Sequence, residues 1–141
     1  MKHKVIIAGG RDFCNWRTQD GSPDTKRNSQ TRAKAFARID YLLIHIDYTD
    51  IEIVSGGAVG ADKVGEEWAI KEGYQPKVFN ADWNKHGRAA GILRNIEMGN
   101  YATHLIAFWD GKSKGTKHMI DYAKKKGLKV RIIRYERLVY E

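Results

Sequence analysis

The chain has 141 residues, 42% of them apolar, enough for one domain to bury a core without disulfides or a structural metal. Its one cysteine, Cys14, excludes an internal disulfide, and no apolar run approaches the roughly 18 residues of a membrane span or resembles a secretion signal, so a cytoplasmic protein with no membrane partner is expected. A formal charge of +8 points to a polyanion, either nucleic acid or a phosphate-bearing small molecule beside an ordinary solvated basic face.

Lys4 to Ala8 is a compact, β-branched apolar run that breaks at Gly9-Gly10, which predicts a buried strand entering a turn. Residues Cys14 to Ser29 are polar, contain Gly21 and Pro23 and show no period, which predicts a long surface loop able to order over a ligand. Thr31 to His45 places Phe36, Ile39, Leu43 and Ile46 at helical spacing and predicts an amphipathic helix. Ile51 to Val54 reads as a second strand, followed by a glycine turn and a helix from about Asp62 to Lys71 that Gly73 stops. Beyond it lie a weak third strand (Lys77 to Phe79), a helix (Gly87 to Asn100), a fourth strand (His104 to Trp109), a helix (Thr116 to Lys126) and a fifth strand (Leu128 to Ile133). A short terminal element from Arg134 to Glu141 closes the series. Strands alternating with helices at this spacing predict an α/β fold: a Rossmann-like three-layer αβα domain with a mainly parallel sheet of about five strands.

In such a sheet, ligands collect beyond the carboxyl ends of the strands, where three glycine-bearing turns fall. The first holds Gly9, Gly10, Arg11, Asp12 and Phe13; the second Ser55, Gly56, Gly57, Ala58 and Gly60; the third Asp110, Gly111, Lys112, Ser113, Gly115 and Thr116. Glycines let backbone N–H groups approach a phosphate, and each following helix N-terminus adds a favourable dipole. No turn carries a full P-loop or dinucleotide signature, so ATP hydrolysis and hydride transfer lack support and no cofactor is expected. Gly87, Gly91, Arg94 and Met98 repeat at helical spacing, and the two glycines leave room beside Arg94 for a bidentate anion contact. Asp62 reads either as a helix N-cap or as a ribose contact, and Phe13, Trp16, Trp83 and Trp109 either as base-stacking faces or as core. His86 and His118 lack companions at metal-ligand spacing, and with one cysteine a metal site has no support.

The ordered set GGRDF (Gly9 to Phe13), SGGAVGAD (Ser55 to Asp62), RNIEM (Arg94 to Met98) and HLIAFWDGKSKGT (His104 to Thr116) resembles the SLOG superfamily, and within it the small bacterial and phage proteins of the YspA type. The resemblance implies a ligand that is a nucleotide or phosphorylated nucleoside, contacted also by Asn95 and Met98, and a homodimer or higher oligomer. Relatives in the superfamily include the Lonely Guy phosphoribohydrolases, which cleave the base from a nucleoside 5′-monophosphate, and the DNA-processing protein Smf, which binds single-stranded DNA. By similarity, Arg94 takes the place of the hydrolases' catalytic arginine, and if the chain cleaves its ligand another acid must serve, with Asp62, Asp12 and Asp110 as candidates. Where those enzymes carry glutamates after Gly-Thr, this chain has Lys117, His118 and Met119, so the usual carboxylate is missing. The leading expectation is therefore a binding or sequestering module for a nucleotide-derived signal. An N-glycosidic hydrolase acting on a nucleoside monophosphate or an ADP-ribose-like molecule is the alternative. Single-stranded DNA binding through Lys124-Lys125-Lys126, Arg131, Arg134 and Arg137 is the third reading.

Overall fold

The computed structural model describes residues 2–44, 46 and 50–139. Strand β1 (His3–Gly9) lies at the centre of a sheet that β2 (Ile51–Ser55), β3 (Lys77–Val78), β4 (His104–Trp109) and β5 (Lys129–Arg134) complete in the order β3-β2-β1-β4-β5. Every pairing is parallel, with Val5 opposite Ile53 on one side of β1 and opposite His104 on the other. The helices are α1 (Thr25–Leu43), α2 (Ala61–Lys71), α3 (Trp83–His86), α4 (Ala90–Tyr101), α5 (Lys114–Lys125) and α6 (Tyr135–Val139), with a 3₁₀ turn at Gly87–Ala89 leading into α4.

Successive strand side chains point to opposite faces, so the unbroken apolar runs of the strands feed two cores at once. Val5, Ile7, Ile53, Ile106 and Phe108 pack with Ala35 and Ile39 of α1, Val64 and Trp68 of α2 and Leu138 of α6. Ile6, Ala8, Val54, Leu105 and Ala107 pack with Met98 of α4 and with Met119, Ile120 and Ala123 of α5. Each large aliphatic side chain fully buried in this way contributes about 1.5–3 kcal/mol. The three-layer αβα expectation holds, with α1, α2 and α6 on one face and α4 and α5 on the other. Among the described residues no helix is long and apolar enough to cross a membrane.

The first connection differs from its sequence reading. Helix α1 starts at Thr25, six residues before the first residue of the expected helix, because Asp24 caps it by accepting the Arg27 amide at 3.2 Å. The added turns are polar, so they carry no apolar period; Asn28 instead ties them to the preceding loop through both the amide and the carbonyl of Trp16. The buried face of α1 is Thr31, Ala35, Ile39 and Leu43; Phe36 is only partly buried, Ile46 falls beyond the helix, and His45 lies outside the described residues. The terminal element is the short helix α6, and of the residues expected in it Tyr140 and Glu141 are likewise outside the described set.

Two contacts hold α2 in place. The buried indole N–H of Trp68 donates to Asp40 of α1 at 2.9 Å. Gly65 lets the helix lie directly on β1, since a Cβ there would stand 2.6 Å from the Cβ of Ile7. Gly65→Ala is therefore expected to destabilise the protein by about 1–3 kcal/mol through overpacking, outweighing the better helix propensity of alanine. A urea unfolding curve reads this directly, and an unchanged or higher midpoint would contradict the close packing of α2 on β1.

Candidate functional site

The chain leaves β1 toward the α1 face and leaves β4 toward the α5 face. The two neighbouring strand ends therefore diverge and open a crevice between them, the place where open parallel sheets take their ligands. Its floor is tightly built. The Gly10 amide donates to the Phe108 carbonyl at 3.2 Å, and a Cβ on Gly9 would stand 2.1 Å from that oxygen. Gly60, with φ of +83°, begins α2 beneath the first turn; the Ala61 amide donates to the Gly10 carbonyl at 3.1 Å, and a Cβ on Gly60 would come within 2.3 Å of the same oxygen. The first two glycine turns are thus fastened to each other by backbone contact that no side chain could interrupt. In the third turn, Asp110 accepts the amides of Lys112 and Ser113, both at 2.8 Å, and Ser113 caps α5.

The crevice encloses about 520 Å³, within the range of small-molecule sites. Gly9, Gly10, Arg11 and Asp12 line it from the first turn, Ala58 and Asp62 from the second, and Asp110, Ser113, Gly115 and Thr116 from the third. Helix α4 supplies Gly91, Arg94, Asn95 and Met98, and Trp83 of α3 stands at the mouth, half-exposed. Asn95 donates to the Gly115 carbonyl at 3.2 Å, joining the α4 wall to the start of α5.

The charged centre is Arg94 beside Asp62. Arg94 Nη1 donates to the Gly56 carbonyl at 2.6 Å, while its Nε is buried without a hydrogen-bond partner. Asp62 is 6% exposed and accepts the Ala58 amide at 3.1 Å. A Cβ on Gly56 would fall 2.8 Å from an Asp62 oxygen and 3.0 Å from the Arg94 guanidinium carbon, so the bare glycine lets both groups close over it. Burial pushes the Asp62 carboxyl up to about 6, and the Ala58 hydrogen bond and the Arg94 charge only partly offset this. Burial also lowers Arg94, against the pull of Asp62. Desolvation outweighs mutual attraction for both groups.

The model of the YspA, cpYpsA-related SLOG family matches residues 3–86, which hold the first two glycine turns and Trp83. The chain belongs to this SLOG family. It is also similar to the Gene 61 protein of Mycobacterium phage D29, 40% identical over 93 residues that cover 62% of this chain and 74% of that protein. No solved structure matches it at a significant level. The walls formed by α4 and α5 lie beyond the residues that the family model matches.

In this SLOG protein several residues expected to meet a ligand sit behind the crevice wall. Phe13 is fully buried, stacked on Phe108 at 4.7 Å between ring centres and tilted against Tyr135 at 4.9 Å, so it offers no face to a base. Ser55 is buried too; it donates to Glu66 at 2.6 Å and accepts the Gly57 amide at 3.1 Å, bracing the second turn from beneath. Gly56 holds Arg94, Gly57 adjoins Asn80, and Gly60 is the N-cap residue of α2, which places Asp62 within the helix rather than at its cap. Gly111 packs on the Arg134 guanidinium and Lys112 is exposed outside the wall. Although Gly111-Lys112-Ser113 spells the end of a P-loop, the loop's first glycine would fall at Ile106, inside β4.

The other aromatic candidates divide. Trp16 packs at the edge of Phe13 and Tyr135, and Trp109 donates to the Ser113 carbonyl at 3.1 Å, so both support the fold. The loop expected to order over a ligand sends none of residues 14–29 into the crevice. His86 ends α3, and His118 lies against Asn95 at 3.2 Å, outside the lining. Among the described residues no cluster of histidine, cysteine and carboxylate side chains is placed to hold a metal. Buried Cys14 has its thiol pushed up to about 12 by desolvation, which leaves it unreactive.

Ala8, Arg88 and Ile92 line the crevice without having been singled out in the sequence, and Met119, named there only for the carboxylate it replaces, lines it too. For two of them a signal existed: Arg88, Ile92 and Asn95 recur at i, i+4 and i+7, a stripe beside that of Gly91, Arg94 and Met98.

The raised Asp62 carboxyl sets a pH dependence. Its folded value near 6 lies above the ordinary 3.8, so the folded state binds the proton more tightly and stability falls as pH rises through that window. A shift of about two units corresponds to about 3 kcal/mol. Asp62→Asn should therefore gain on the wild type by up to about 3 kcal/mol between roughly pH 3 and pH 7, as measured by urea unfolding at each pH. Parallel pH profiles for the two proteins would show that Asp62 titrates normally.

Proposed function

We propose that this SLOG protein binds a nucleotide or phosphorylated nucleoside in the crevice, holding its anionic group with Arg94 and the amides of the glycine turns. The observation that carries this reading is the position of Arg94: a guanidinium drawn into the crevice between the diverging strand ends, spent on one carbonyl and with a buried Nε left over. The N-terminal end of α5, where Ser113, Gly115 and Thr116 line the crevice, favours negative charge there. Trp83 gives the mouth an exposed aromatic face suited to a base. Family membership speaks for the same nucleotide-related role.

Binding without cleavage is favoured by the wall at α5. The residues after Thr116 supply no carboxylate: Lys117 turns outward to Asp121 at 2.6 Å, and Met119 presents an apolar surface to the crevice. Of the acids that do line the crevice, Asp110 is committed to two amides and Asp12 accepts the Tyr135 hydroxyl at 3.1 Å.

One observation favours a second reading, cleavage of an N-glycosidic bond. Asp62 lies beside Arg94 with a carboxyl near 6, able to hold or release a proton close to neutral pH, as a general acid or base must.

Thermal shift and released base, measured together over nucleoside monophosphates, NAD, ADP-ribose and cyclic nucleotides, test both readings. A bound ligand at one hundred times its Kd should add about 2.7 kcal/mol of stability and raise Tm by roughly 5–10 °C. Arg94→Ala should weaken that ligand by roughly 10- to 100-fold, the range for a charged hydrogen bond. Release of base that is lost in both Arg94→Ala and Asp62→Asn would establish the hydrolase. Silence across the panel in the wild type would overturn the nucleotide reading.

A further inference from the structure

Three carboxylates line the crevice, and two of them serve the turns on which they stand. Asp110 accepts the amides of Lys112 and Ser113, and Asp62 accepts the amide of Ala58. Asp12 serves no turn. Its side chain is exposed, and among the described residues it accepts one bond, from the Tyr135 hydroxyl 123 residues further along the chain, at 3.1 Å.

Tyr135 itself does not line the crevice. Its ring is already held from two sides, tilted against Phe13 at 4.9 Å and edge-on to Trp16 at 6.0 Å between ring centres, so it needs no hydrogen bond to stay in place. The order therefore runs from the packed ring to the exposed carboxylate. Burial, followed by the neighbouring charge of Asp12, holds the phenol well above its usual range, so the hydroxyl stays protonated and donates. Gly10 makes room for this bond. It has no positive φ to require glycine, yet a Cβ there would overlap the Tyr135 hydroxyl and stand 2.7 Å from the Asp12 oxygen. The bare position is cleared for the pair of side chains that meets over it.

A carboxylate fixed in the wall of a cavity repels an anion and attracts a hydrogen-bond donor. Since one of its oxygens holds the tyrosine, the other is left to accept from whatever enters.

We infer that Tyr135 is a positioning residue for this site: it fixes Asp12, and Asp12 reads a hydrogen-bond donor on the uncharged part of the ligand, a sugar hydroxyl or a base amino group. This rests on the nucleotide reading above and adds to it a determinant of specificity.

Calorimetric titration of AMP, GMP and ADP-ribose into wild type, Tyr135→Phe, Asp12→Ala and the double variant tests the assignment. Tyr135→Phe keeps the ring on Phe13 and Trp16 and removes only the hydroxyl. The tightest probe should weaken about tenfold or more in Asp12→Ala and about three- to tenfold in Tyr135→Phe. The double variant should bind it as Asp12→Ala does, because the hydroxyl then has no carboxylate to place. The 2′-deoxy and 3′-deoxy forms of AMP and GMP, together with IMP, name the donor. Affinity lost with a sugar hydroxyl assigns the ribose, and affinity lost in IMP assigns the base amino group; either supports the inference. Equal affinity for every analogue overturns it, as does unchanged or tighter binding in Asp12→Ala, which would show a carboxylate that only repels. A loss in Tyr135→Phe that persists in full beside Asp12→Ala also overturns it, since the hydroxyl would then serve the fold alone. All three outcomes leave the nucleotide reading standing. If none of the three probes binds the wild type, the assignment falls, and the nucleotide reading falls with it only if NAD and the cyclic nucleotides are silent too.

Discussion

The structure depends on β1 pairing in parallel with two neighbours whose connections run to opposite faces of the sheet. A chain leaving β1 toward α1 and a chain leaving β4 toward α5 cannot cover the space between their own strand ends. That space has to be bounded by backbone turns, and the turns have to be glycine-rich because the strands approach so closely there. Gly9 against the Phe108 carbonyl and Gly60 against the Gly10 carbonyl are the points at which any larger residue would force the sheet and the second turn apart. The same closeness buries Asp62 and part of Arg94, so the electrostatic character of the crevice follows from the topology rather than from an added loop or lid.

The sheet was legible in the sequence because its central strands are covered on both faces and so read as unbroken apolar runs, as Val5 to Ala8 and Leu105 to Phe108 show. The start of α1 was not, since residues 25–30 are polar and their order comes from the Asp24 cap and from Asn28 gripping the Trp16 backbone. Turn composition located the crevice but could not separate residues that face it from residues that brace it. Phe13 follows Asp12 directly, yet one lines the cavity and the other is stacked in the core. Arg88 was overlooked because the glycines drew attention to the stripe of Gly87, Gly91, Arg94 and Met98, while Arg88, Ile92 and Asn95 form the stripe beside it.

Two groups of basic residues lie at opposite ends of the sheet. Helix α5 runs antiparallel to the strands, so Lys124 and Lys125 at its end and Lys126 beyond it lie near the start of β4, and Lys129 pairs in register with His104 there. The crevice opens at the other end of the sheet. The lysine run thus stabilises a helix C-terminus and gives the surface a general attraction for polyanions, while the three arginines of the crevice form a separate and more directional group. This separation makes the nucleic-acid reading and the small-nucleotide reading physically distinct, since each would engage a different edge of the same sheet.

That distinction can be read residue by residue. Backbone amide shifts recorded by NMR during titration with ADP-ribose and pApA should move at Gly9 to Asp12, Gly91 to Asn95 and Ser113 to Thr116, and stay still from Lys124 to Lys129. Shifts confined to the lysine run and the first residue of β5, with the three glycine turns unmoved, would contradict the assignment of the crevice as the ligand site.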